Sequence, residues 1–141
     1  MKLHLTNGYK FLLAFVLGTI AVIGFMVKLP SVFRHYDKEL HTLFYFLAAA
    51  LLNLLFSKRN IIIHALVFAL LYGGSIFIEH AQEYSNKLLG KRIHGRYDPE
   101  DVTANLKGLI AFSILWVICV FISYLWQFFT AKKKEEESMS I

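Results

Sequence analysis

Charged side chains are absent from four long stretches of this 141-residue chain: residues 11–27, 40–56, 61–78 and 109–131, which run for 17, 17, 18 and 23 residues. Hydrophobic residues make up 57% of the whole and the mean hydropathy is +0.52, more apolar surface than a water-soluble domain of this size can bury. At ~1.5 Å per residue such runs come close to the ~30 Å hydrocarbon core of a bilayer, and flanking residues fill the remainder. The expected fold is all-α: an integral-membrane four-helix bundle with spans at about 11–29, 40–56, 61–80 and 107–130.

Other absences narrow the function. The single cysteine, Cys119, lies within the last apolar run, so no intrachain disulfide can form. No serine, cysteine or threonine stands with a base as a nucleophile would, and there is no glycine-rich phosphate loop. No His-Glu-x-x-His or cysteine set marks a metal, so no metal and no cofactor are assigned. No Ala-x-Ala-like cleavage site follows the first apolar run; Lys28-Leu-Pro30 does, which makes it a retained span rather than a signal peptide. The net charge of +5 sits at span ends, where headgroups and topology account for it, so nucleic-acid binding gains no support.

The chain reads as one four-span domain, 1–131, and a charged flexible tail, 132–141. Four spans put both termini and the 57–60 turn on one side, and the 28–39 and 79–108 segments on the other. Lys and Arg divide seven (2, 10, 58, 59, 132, 133, 134) to eight (28, 34, 38, 87, 91, 92, 96, 107), nearly a tie. The basic turn and tail favour cytoplasmic termini. Whichever way the protein points, the two polar segments share one surface.

The polarity that is present concentrates there. Residues 97–108, YDPEDVTANLKG, place three carboxylates, an asparagine and a lysine directly before the longest apolar run. Asp98, Pro99 and Glu100 read as an N-cap, a first-turn proline and a dipole partner. Asp101, Asn105 and Gly108 fall on one helix face, aiming an acid, an amide and a gap at a neighbour. Asn105 would lie just inside the membrane, where an amide needs a partner. On the second span Asp37, His41 and Tyr45 share a stripe, and Glu79 with Gln82 or Glu83 shares a face if the third helix continues. Lys91, Arg92 and Arg96 are available to neutralise these acids or to hold a phosphate. Tyr36-Asp-Lys-Glu-Leu-His-Thr42 and Tyr97-Asp-Pro-Glu-Asp-Val-Thr103 echo one another, through duplication of a helical hairpin or through two similar Asp-capped helix starts.

The ordered set Asp37-Lys-x-x-His41-x-x-x-Tyr45, Tyr72-Gly with Glu79-x-x-Gln82, and Arg96-x-Asp98-Pro-x-Asp101-x-x-x-Asn105-x-x-Gly108 resembles the VanZ-like family of small bacterial membrane proteins, over residues 28–110. The resemblance implies four spans in the bacterial cytoplasmic membrane with the motif residues gathered at one membrane face. The family takes its name from a protein linked to low-level teicoplanin resistance; its biochemical activity is not established. Thr42 and Phe112 depart from the pattern, and the long Gln82-to-Arg96 gap makes Arg92 a rival to Arg96.

Three functional readings stand. In the first, Asp37, His41, Tyr45, Glu79, Gln82, Arg92, Arg96, Asp101, Asn105 and Gly108 bind, or alter, an anionic lipid-linked headgroup, such as a cell-wall intermediate; membrane lipids are partners and a glycopeptide is a candidate one. In the second, the same groups only clamp helices together. In the third, Glu79, His80, Glu83, His94, Asp98 and Asp101 offer ligands to a divalent metal. No catalytic residue and no oligomeric state are assigned. His64, Asn53 and Trp116 read as packing, Tyr124 and Trp126 as an aromatic belt. Gly8, Gly18, Gly24, Gly73 and Gly74 are candidates for close helix contacts, with a bend at Gly73-Gly74.

Overall fold

Hydrocarbon offers the backbone no hydrogen bonds, so a spanning segment must satisfy its own. The computed structural model, which describes residues 6–26, 36–90 and 97–139, does so with four helices: α1 Asn7–Met26, α2 Asp37–Leu52, α3 Ile61–Leu89 and α4 Pro99–Met139. Three segments are long and apolar enough to cross a membrane: α2 with its continuation Asp37–Ser57, α3 Ile61–Leu89, and α4 over Pro99–Glu136. The fourth expected span corresponds to α1, whose apolar stretch Asn7–Ile23 is shorter.

Polarity is distributed inside-out. His41, Asn53, Ser57, His64, Ser75, Glu79, Gln82, Asp101 and Asn105 are buried, while Phe15, Leu54, Leu70, Phe77, Phe121 and Trp126 are exposed. That is the arrangement of a bundle dissolved in lipid, where packing and interhelical hydrogen bonds, rather than the hydrophobic effect, join helices.

Helix ends follow local chemistry. Asn60 caps α3, its Oδ1 accepting from Ile62 N at 2.9 Å and Ile63 N at 3.2 Å, and Gly90 ends that helix with φ +59°. Asp98 caps α4 as its sequence implies, its Oδ1 accepting from Glu100 N at 2.8 Å. Asp37 does not cap α2: the cap is Tyr36, with no side-chain hydrogen bond, and Asp37 is the first helical residue. The two echoed segments therefore begin their helices differently, and a shared cap does not explain them.

Two helices outrun their apolar cores. α3 continues past residue 80 to Leu89, and α4 begins before residue 107 and continues to Met139. The segment read as a flexible tail is thus helical to Met139, because Lys and Glu are good helix formers and repeat at i, i+4, as in the 3.9 Å Lys132–Glu136 pair.

The core forms where α2 meets α4: Tyr45 and Ala49 pack with Leu109, Phe112 and Trp116. Gly108 permits this approach. A Cβ built there would lie 2.2 Å from Thr42 O and 3.0 Å from Phe46 N, both backbone atoms. The other glycines differ from expectation: a Cβ on Gly8, Gly18, Gly73 or Gly74 meets nothing within 4 Å, and α3 runs unbroken through the last two. At the far end the chain leaves α2 through a π-helical turn, Asn53–Ser57. There Asn53 Oδ1 meets His64 Nδ1 at 2.8 Å, His64 stacks on Trp116 at 4.2 Å, and Arg59 lies over Tyr124. These residues pack, as the sequence implies.

Gly108→Ala should destabilise the protein by about 1–3 kcal/mol, because backbone cannot yield as a side chain can. Gly73→Ala, with open space around it, should be neutral or mildly stabilising. Thermal unfolding of both variants in one detergent checks the contrast.

Candidate functional site: a polar junction of three helix ends

The sequence places Asp37, His41 and Tyr45 one turn apart, and α2 presents them as one stripe in which His41 and Tyr45 are buried. α4 answers with Asp101, Asn105 and Gly108, all buried on the face toward α2. The two helices are joined twice at this level. His41 Nδ1 lies 2.8 Å from Asn105 Oδ1, and Thr42 Oγ1 donates to Ala104 O at 3.0 Å. An amide oxygen only accepts, so Nδ1 carries a proton and Nε2 is left facing Asp37 Oδ1, 3.9 Å away.

α3 reaches the same place because it continues beyond its apolar run. Glu79 is almost fully buried, and its Oε2 accepts from the backbone N–H of Asp98 at 3.1 Å, tying α3 to the start of α4. Gln82 is buried one turn further on. One turn below His41, the Tyr45 and Ser75 hydroxyls share a hydrogen bond in the field of Glu79. Tyr97 stacks on His80 at 4.7 Å, next in sequence to the Asp98–Glu79 bond.

One cation serves several acids. Lys38 Nζ bonds Asp98 Oδ2 at 2.6 Å and Asp101 Oδ1, and Glu100 Oε2 lies 3.8 Å away. Among the described residues the junction holds the carboxylates of Asp37, Glu79, Asp98, Glu100 and Asp101 around one lysine and one histidine. At Asp98 partial burial raises the carboxyl pKa. The Lys38 bond and the Glu100 N–H outweigh that effect, and they hold the group below the usual carboxylate range.

Of the residues singled out from sequence, the structure brings together Asp37, His41, Tyr45, Glu79, Gln82, Asp101, Asn105 and Gly108. Arg92, Arg96, Lys91 and His94 lie outside the described residues. The anticipated metal set is not the one assembled: Asp37, His41 and Asp101 offer ligand atoms within 4.8 Å of one another, and of the set read from sequence only Asp101 belongs to that group. Glu83 instead pairs with Lys87 at 2.9 Å along α3, and His80 is engaged with Tyr97. Sequence reasoning passed over Lys38, Ser75 and Thr42. The signal for Lys38 was its place beside Asp37 opposite an acidic helix start; Ser75 and Thr42 carried none.

No buried side-chain nitrogen or oxygen among the described residues lacks a partner. The junction is therefore a closed network with an acidic surplus, suited to receive hydroxyl or amine donors and to hold a cation.

Asn105→Ala should lower the unfolding midpoint by the equivalent of about 1–3 kcal/mol, since it strips a buried imidazole N–H of its acceptor. The acid limb gives a second expectation. A group whose folded pKa lies below its unfolded value stabilises fully above the unfolded pKa, and that contribution is lost as pH falls through the folded one. Asp98→Asn should therefore be less stable than wild type near neutrality and lose less stability below about pH 4. Unfolding midpoints measured across that range check the sign. No family model matches the chain, and neither a curated protein nor a solved structure matches it, so the functional reading rests on this junction.

Proposed function

We propose that this chain is a VanZ-like protein of the bacterial cytoplasmic membrane, with both termini in the cytoplasm, that binds an anionic lipid-linked headgroup at the polar junction. The observation that carries the reading is the surplus of carboxylates. Pairing three helices needs only matched neutral groups, yet Asp98, Asp101 and the exposed Glu100 share Lys38, Asp37 lies 3.9 Å from His41, and the buried Glu79 accepts the Asp98 N–H. Burying charge is costly, and ionisable groups at membrane depth are functional by default. Carboxylates, an amide and a histidine suit a hydroxyl- or amine-bearing group. Lys91, Arg92 and Arg96, which follow α3 in sequence, are the basic residues the reading assigns to a phosphate, the arginines through their planar forks. Arg96 precedes Tyr97, which is stacked on His80, by one residue. The ligand class is therefore a lipid phosphate carrying a polar, donor-rich group.

Binding rather than chemistry is the activity proposed, as no nucleophile is poised among the described residues of the junction. The resemblance to the VanZ-like family alone supports a link to glycopeptide susceptibility. A second reading has its own observation: every buried polar side chain among the described residues already has a partner, as a purely structural clamp requires.

Lipid identification by mass spectrometry on purified protein separates the two. The headgroup reading expects one class of phospho- or isoprenoid lipid enriched several-fold over the host membrane. It also expects that enrichment to vanish in the Arg92→Ala, Arg96→Ala double variant at unchanged unfolding midpoint. Identical lipid profiles for the two proteins would overturn it in favour of the clamp.

A further inference from the structure

A half-open apolar groove of about 830 Å³ lies between α1, α2 and α3. It is lined along α1 from Ala14 to Ile23, along α2 from Phe44 to Leu52, and along α3 from Leu70 to Ile78. Only Thr19 and Tyr45 among its lining residues carry hydroxyls, and neither is turned to it for want of a partner. Thr19 donates to Phe15 O at 2.9 Å, and Tyr45 is bonded to Ser75. A groove so apolar has nothing to hold water.

Its position matters more than its size. Tyr45 lines the groove and also borders Glu79 and His41 of the junction, so the groove begins where the polar cluster ends. It extends along α3 from Leu70 to Ile78, roughly 12 Å at 1.5 Å per residue, close to one leaflet's share of a ~30 Å hydrocarbon core. At its other end Phe11 of α1 packs on Phe56, ring centres 5.0 Å apart, pinning α1 away from the junction. Gly18 and Gly74 face one another's helices across this space, and a Cβ on either meets nothing within 4 Å.

We infer that the groove is the seat of one hydrocarbon chain of the same anionic lipid whose headgroup occupies the junction. The inference rests on the headgroup reading and adds the half of the ligand it leaves out. A polar junction that adjoins an apolar trough of leaflet depth at Tyr45 matches an amphipathic lipid whose head and chain bind together. The outer helix faces offer a chain only a flat surface. The groove confers depth selectivity: the lipid must belong to the leaflet on the junction's side.

The test uses the full chain reconstituted in vesicles of phosphatidylethanolamine and phosphatidylglycerol, with a trace of phosphatidylglycerol bearing a diazirine midway along one acyl chain. Irradiation and peptide mapping should place adducts around Gly18, Ala48 and Gly74 at least fivefold above Leu66 and Phe121, which are exposed on outer helix faces. Gly18→Leu and Gly74→Leu add bulk to the groove at positions where a Cβ meets nothing within 4 Å. They should cut groove labelling at least fivefold and leave Leu66 and Phe121 unchanged. Uniform labelling of all exposed faces, or filled variants that label like wild type, would overturn the inference even where a lipid co-purifies. Equal groove labelling by a phosphatidylcholine probe of the same chain would keep the groove as a chain site and overturn the headgroup reading instead.

Discussion

The contact between His41 and Asn105 sets the level at which α2 and α4 meet, and most of the architecture follows from it. An amide one turn inside a membrane cannot remain unpaired, and an imidazole N–H on the facing helix is the partner supplied, at 2.8 Å. A hydrogen bond of that length requires close backbones, which Gly108 and the Thr42–Ala104 bond provide immediately below and beside it. Once the register is fixed, Leu109, Phe112 and Trp116 fall opposite Tyr45 and Ala49 without further instruction.

Electrostatics then brings in the third helix. Among the described residues Glu79 pairs with no lysine. It accepts from the Asp98 N–H, a donor left over at the first turn of α4. The same Asp98 caps its helix with one carboxylate oxygen and holds Lys38 with the other. One residue thereby connects α2, α3 and α4, and its role as a cap does not compete with its role in the junction. Lys38 is shared among Asp98, Asp101 and Glu100, so any change at one acid redistributes the others.

The helical character was legible because charge is missing from four long runs, and the faces of α2 and α4 because Asp37, His41, Tyr45 and Asp101, Asn105, Gly108 keep helical spacing. Gly108 was visible as a gap, but the backbone that fills it was not, since a sequence does not say which helix comes near. The ends of α3 and α4 escaped for a different reason. Hydropathy locates the boundary of the membrane, and helices of good formers such as Glu and Lys continue past it. Lys38 was hidden in plain view: a lysine beside an aspartate reads as a local pair. Its true partners are some sixty residues distant, brought near only by the register of α2 on α4.

The far end of the bundle serves as an internal control on what the junction is for. There Asn53 and His64 make the same amide–imidazole contact at the same 2.8 Å, backed by a stacked tryptophan, with no carboxylate involved. Two helices are joined at that end by neutral groups alone, so charge is not needed for the joining. At the junction the same neutral pair has carboxylates nearby, and two of them, Glu79 and Asp101, are buried and carry a desolvation cost. Helix pairing does not require them, and the proposed headgroup's hydroxyl donors would give them a partner. The groove adjoins the charged end at Tyr45 and runs from there along α2 to Leu52, the course that the chain of a lipid whose headgroup sat at the junction would take.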